Sequence, residues 1–212
     1  MCQSEKSAGF PQVPKQENLK RATELGLDAA GLQSEEQLQW LGLERSDGNW
    51  VLPVLGEKIT IDLSAGQLST GDGEEISAAW RILVLHYTAI NGKPEDREPS
   101  IVFADLPESR TYAGIYQGRV ISRLCGTVGR DGEALGVAAL TLGGKPVEAG
   151  DLAYDFEIFP RVKFRLIWHA ADDEFPASAT LLMPDNIEAY FCSEDVVVLS
   201  ERLVSRLCGR PF

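Results

Sequence analysis

A run of carboxylates and two histidines mark where this chain could do chemistry. His169-Ala170-Ala171-Asp172-Asp173-Glu174-Phe175-Pro176 sets three successive acidic side chains close to an imidazole. Asp172, Asp173 and Glu174 are oxygen donors of the kind that hold a divalent cation. His169, Asp173 and Glu174 together have the makings of a metal-assisted or acid/base hydrolase. The same residues also make a solvated hairpin turn, because Asp and Pro favour turns for local backbone reasons. Adjacent carboxylates do not all point at one ion, and the spacing of a calcium loop is missing.

His86 stands in GEEISAAWRILVLHYTAI, residues 73–90, near Ala79, Leu83 and Ile90 at helical spacing. An imidazole in that setting is a metal or tetrapyrrole ligand, a buried acid or base, or a core residue with one satisfied hydrogen bond. Trp80, Tyr112, Tyr116, Tyr154 and Trp168, with His86 and His169, suit the mixed lining of a small-molecule pocket. Each aromatic taken alone suits a core equally well. Cys2, Cys125, Cys192 and Cys208 are scattered without a C-x-x-C, so no zinc ribbon or iron–sulfur motif is encoded. There is no G-x-S-x-G elbow, P-loop, dinucleotide fingerprint or H-E-x-x-H. No cofactor is identified by these residues.

The elements that must position these side chains centre on residues 151–184. Tyr154, Phe156 and Ile158 are apolar at period two, and Val162, Phe164, Leu166 and Trp168 repeat the pattern. Pairing the two runs around a Phe159-Pro160-Arg161 loop sets Ile158 opposite Val162, Phe156 opposite Phe164 and Tyr154 opposite Leu166. It also sets Glu157 against Lys163 and Asp155 against Arg165. A slip of one residue would spoil both faces. A third strand over Ala177–Met183 completes a meander, and an N-terminal hairpin is expected around Gly56. Whether the two share one sheet is open. Helices are expected over residues 15–27, from Ser34 to about Leu41, over 73–90, 107–125 and 131–142, and from Ser193 onward. The alanines and glycines of the 131–142 helix leave room against the sheet for another helix or a ligand. The fold class is α+β, an antiparallel sheet covered by helices, with a disordered tail over residues 1–14 and a single domain over 15–212.

Composition narrows the partners. The chain has 212 residues, 44% of them hydrophobic, and a net charge of −12 from 20 basic and 32 acidic residues. Nucleic acid binding needs clustered Lys and Arg to neutralise phosphates, so none is expected. Anionic membrane surfaces are excluded on the same ground, and no apolar run is long enough to span a bilayer. The N-terminal stretch lacks the apolar core of a signal peptide, so a cytoplasmic location is expected.

Several residues carry a family likeness: Asp151, Tyr154, Phe156, Phe159-Pro160-Arg161-Val162, Asp173 to Ala177, and the Glu194-Asp195 helix start. On these the chain resembles a bacterial and archaeal family of unknown function that is well represented in anaerobes. Some relatives look like fusions to a four-cysteine iron–sulfur module of the kind seen in corrinoid proteins. This chain lacks that module, so the resemblance carries no cluster to it and implies a fold more than an activity. The leading expectation is a small-molecule or cofactor-binding accessory module, linked through the resemblance to anaerobic metabolism. The alternatives are the hydrolase built on His169, Asp173 and Glu174, and a module that receives a partner protein on a sheet edge or an aromatic patch.

Overall fold

The computed structural model describes residues 15–212, with side chains from Leu19 onward. The tail expected over residues 1–14 lies outside them. Helix α1 (Lys15–Gly31) passes the expected end at Leu27 and runs straight through Gly26. Glycine inside a helix costs about 1 kcal/mol against alanine. Here it allows a close approach, since a Cβ on Gly26 would lie 2.8 Å from the Cβ of Leu85. Helix α2 (Glu35–Trp40) starts as expected, with the Ser34 hydroxyl accepting the Gln37 N–H at 3.1 Å.

The expected hairpin is the middle of a four-stranded antiparallel meander: β1 (Glu44–Ser46), β2 (Asn49–Val54), β3 (Glu57–Asp62) and β4 (Gln67–Thr70). This sheet is separate from the larger one. Its first two turns, Asp47-Gly48 and Leu55-Gly56, hold both central residues at positive φ, as two-residue hairpin turns require. Leucine is unusual there. Leu55 sits at φ 48° with its side chain buried, and its N–H donates to the Ile158 carbonyl of the other sheet at 3.2 Å. Burial and a cross-sheet hydrogen bond hold a conformation that leucine avoids.

Helix α3 (Ala78–Thr88) is shorter than the periodicity suggests, because Glu75 forms a β-bridge with Ser69 instead of a first helical turn. Strand β5 (Pro99–Val102) leads through a 3-10 turn to α4 (Ser109–Tyr116), a π-helical segment (Gln117–Ser122) and α5 (Arg123–Gly126). The π turn corrects the uniform helix expected over 107–125. Its wider turn brings residues five apart onto one side, so Ile121 lines the same cleft as Tyr116, while Leu124 is buried in the core. Helix α6 (Gly132–Thr141) is capped by Asp131, whose carboxylate accepts the Glu133 N–H. Strands β6 (Lys145–Pro146), β7 (Leu152–Phe159), β8 (Val162–His169) and β9 (Ser178–Pro184) then lead to the last helix, α7 (Ser193–Leu207).

The larger sheet has the order β5-β9-β8-β7-β6, antiparallel throughout, so the fold is α+β with two sheets. The expected pairs Tyr154–Leu166, Phe156–Phe164, Glu157–Lys163 and Asp155–Arg165 all form. Arg165 grips Asp155 with two parallel bonds, Nε–Oδ1 at 2.6 Å and Nη2–Oδ2 at 2.8 Å. The turn differs from expectation. Phe159 pairs with Val162 around a two-residue loop, and the register shifts at Ile158. That irregularity turns the Ile158 carbonyl out of the ladder to receive Leu55. This sheet packs against α5, the π-helical segment and α6, and Tyr87 of α3 stacks on Phe159. A Cβ on Gly132 would lie 3.0 Å from the Trp168 ring, and one on Gly144 2.9 Å from Phe156. The room left by the small residues in and just after α6 is therefore filled by the aromatics of the sheet.

Candidate functional site

Most of the sequence-selected aromatics are core. Trp80 is buried with its ring 4.8 Å from Phe212. Tyr116 stacks on Phe103 at 4.2 Å. Tyr154 packs its hydroxyl against Gly136, and the Trp168 indole N–H donates to the Gly129 carbonyl at 2.9 Å. None of these four is among the residues that line the groove beside His86. The His169 loop does not converge either. Asp172 accepts the Glu174 and Phe175 N–H groups at 2.8 and 2.7 Å, and those bonds hold its carboxyl below the usual range. Asp173 and Glu174 are exposed, and the His169 imidazole lies 4.0 Å from Asp151, on the other side of the hairpin. Among the described residues no group of three or more His, Cys, Asp or Glu is placed to hold a metal ion. The loop is a capped turn.

His86 has a different setting. It is the ninth residue of α3, on the Ala79, Ile82, Leu83, His86 stripe that faces α1 and α7. Between these three helices runs an open groove of about 680 Å³, lined on its α7 side by Cys192, Glu194, Asp195, Val198, Glu201 and Arg202. His86 Nδ1 and Asp195 Oδ2 are 2.9 Å apart. The two side chains are 38% and 15% exposed, so the pair is shielded on the protein side and open toward the groove. The hydrogen bond to Asp195 raises the pKa of His86 against the opposing effect of burial. With Nδ1 held by a carboxylate, the neutral ring carries its proton there and directs the lone pair of Nε2 outward. Nε2 has no hydrogen-bond partner among the described residues.

The first turn of α7 completes this end of the groove. Tyr112, the one other selected aromatic that reaches it, places its hydroxyl 3.4 Å from Glu194, and the carboxylate charge raises the phenol's pKa. Cys192 is the N-cap residue of α7. A helix start beside a histidine is where an activated thiolate would be sought. Here partial covering of the thiol raises its pKa instead, and no bond to His86 forms. A thiol held protonated is a poor nucleophile.

The sequence did not single out Asp195 as the partner of His86, and it gave Arg119, Glu201 and Arg202 no place in a site. One local signal existed. Asp195, Val198 and Arg202 lie at i, i+3 and i+7 on α7, flanking its core stripe of Val196, Leu199 and Leu203. The contact itself joins residues 109 apart in the chain, and only helix packing makes it. Among the described residues no helix is long and apolar enough to cross a membrane. Comparison with curated proteins and with solved structures found no match. The model of a family described as a domain of unknown function (DUF3786) matches residues 34–206, from the Ser34 cap to the end of α7 and including the His86–Asp195 pair, and the chain belongs to that family.

Proposed function

We propose that the protein is a cytoplasmic small-molecule-binding module whose ligand lies in the groove between α1, α3 and α7 and engages Nε2 of His86. The observation that carries this reading is the His86–Asp195 pair at 2.9 Å on the wall of that groove. A carboxylate behind an imidazole fixes its tautomer and its orientation and strengthens it as a base or ligand. The groove offers this one oriented nitrogen over an apolar floor of Ala79, Ile82, Leu83 and Val198, and a few polar groups over apolar walls are the usual make-up of a ligand site. The resemblance to a family common in anaerobes makes cofactor metabolism without oxygen the natural setting.

A thermal-shift screen of metal ions, tetrapyrroles and small organic acids on protein purified without oxygen tests this. A ligand at a hundred times its Kd adds about 2.7 kcal/mol, which is roughly 5–10 °C in Tm for a chain of this size. His86 is partly exposed, so His86→Ala should fold. The expected result is a rise in Tm that His86→Ala loses. No rise with any compound, or a rise that the variant keeps, would overturn the reading.

A further inference from the structure

The groove has a second polar end that the His86 reading does not use. Three arginines surround one carboxylate there. Arg202 Nη2 lies 3.1 Å and Arg123 Nη1 4.0 Å from Glu201 Oε1, and Arg119 Nη1 lies 3.9 Å from Oε2. Glu201 neutralises one of the three cations, so two positive charges stay uncompensated in a chain of net charge −12. Arg123 is further committed to Ser205 Oγ at 3.0 Å. Arg119 and Arg202 are less so. Arg119 comes from the π-helical segment and is 65% exposed at the groove, and Arg202 keeps a buried Nε with no acceptor among the described residues. Like charges held together repel, and an anion brought to them is favoured.

The opposite end carries the other sign. Asp195 and Glu194 stand beside His86 and repel an anion. Asp195 and Arg202 are seven residues apart on α7, roughly 10 Å along its axis. The wall between them is apolar. Charge, spacing and wall together select a shape and an orientation.

We propose that the groove takes an elongated organic anion, with a carboxylate or phosphate on Arg119 and Arg202, an apolar body along α3 and α7, and a neutral hydrogen-bonding group at His86. This rests on the groove being the binding site proposed above. Arg119 and Arg202 recognise the charge, and His86 with Asp195 reads the far end.

Calorimetric titration with 8-hydroxyoctanoate and 1,8-octanediol tests it, since the two probes differ only in the anionic end. The hydroxy acid should bind at least about tenfold more tightly than the diol, and Arg119→Gln should weaken the acid by about tenfold while leaving the diol unchanged, as expected for loss of a hydrogen bond to a charged group. Arg119 is exposed, so its replacement leaves the core intact, and Tm of the variant checks this. Replacing the carboxylate by phosphate in 8-hydroxyoctyl phosphate then identifies which anion is preferred. Equal binding of acid and diol, both weakened by His86→Ala, would overturn the anion assignment and leave the groove reading standing. Binding of the acid that Arg119→Gln weakens but His86→Ala does not would keep the cationic end and remove His86 from the site. No binding of any probe at millimolar concentration would overturn the elongated-anion proposal, and the thermal screen would then decide the groove reading alone.

Discussion

Replacing Tyr87 with phenylalanine removes one oxygen from the junction of α2, α3 and the larger sheet, and its cost can be worked from the contacts. The ring is fully buried and stacks on Phe159 at 4.4 Å. Phenylalanine keeps that packing. The hydroxyl donates to the Leu41 carbonyl at 2.8 Å and accepts the Arg161 N–H at 3.3 Å. Leu41 is buried, so in Tyr87→Phe its carbonyl loses a partner that water cannot replace. Arg161 is only partly buried, and its N–H can turn to solvent. A buried polar group left unpaired costs about 1–3 kcal/mol, and one such group with one weaker bond points to about 2 kcal/mol. In urea, with an m-value of about 2 kcal/mol/M, the midpoint should fall by about 1 M with m unchanged. Fluorescence and far-ultraviolet circular dichroism should give the same transition.

The pH dependence adds an independent check. Burial raises the Tyr87 phenol far above its ordinary range. A group whose folded pKa is raised contributes stability that is complete below the unfolded pKa, about 10 for tyrosine, and is lost as pH rises toward the folded value. The wild type should therefore lose stability above pH ~10 more steeply than Tyr87→Phe, and the gap between them should narrow. A loss under about 0.5 kcal/mol at neutral pH, or parallel curves through the alkaline range, would refute the claim that this hydroxyl satisfies buried backbone groups.

Two further outcomes are expected. His86 also has a raised pKa, so the stability given by its pair with Asp195 is complete below the ordinary imidazole value near ~6.5 and is lost as pH rises through the folded value. Asp195→Asn should flatten that slope in urea midpoints measured across neutral pH, and an unchanged slope would show that the pair does not form. The capped-turn reading of the His169 loop predicts that calcium leaves Tm unchanged in the wild type and in Asp173→Asn/Glu174→Gln alike. A calcium-dependent rise that the double variant loses would restore the metal reading.

The larger sheet was legible because its information is local. Alternating apolar residues and complementary charges on the opposite faces name one register over Tyr154–Glu157 and Lys163–Leu166, and that register forms. The two-residue turn was not legible, because the irregularity at Ile158 answers Leu55, about a hundred residues earlier in the chain. The aromatics misled for a related reason. Tyr154 and Trp168 lie on the strand face that alternation itself assigns to the core, so the pattern that located the sheet had already accounted for them. His86 was found by type alone, and its partner needed the packing of α3 on α7.

Two of the places where the backbone departs from regular geometry have surroundings that separate a structural cause from a functional one. The Leu55 turn is buried between the sheets, its N–H is satisfied by Ile158, and its side chain fills the core. Packing and hydrogen bonding account for it in full. The π turn at Gln117–Ser122 is explained on one side only. Val120 is buried, whereas Arg119, one residue earlier, goes to the groove and to a cluster with more positive charge than the protein neutralises. A regular helix continuing from Tyr116 would carry Arg119 and Val120 at a different angle, so the widened turn sets both at once. Irregular backbone that positions an uncompensated charge beside a groove is characteristic of a working site rather than of a core. Of the arginines near Glu201, Arg119 is therefore the one whose removal should separate binding from stability most cleanly.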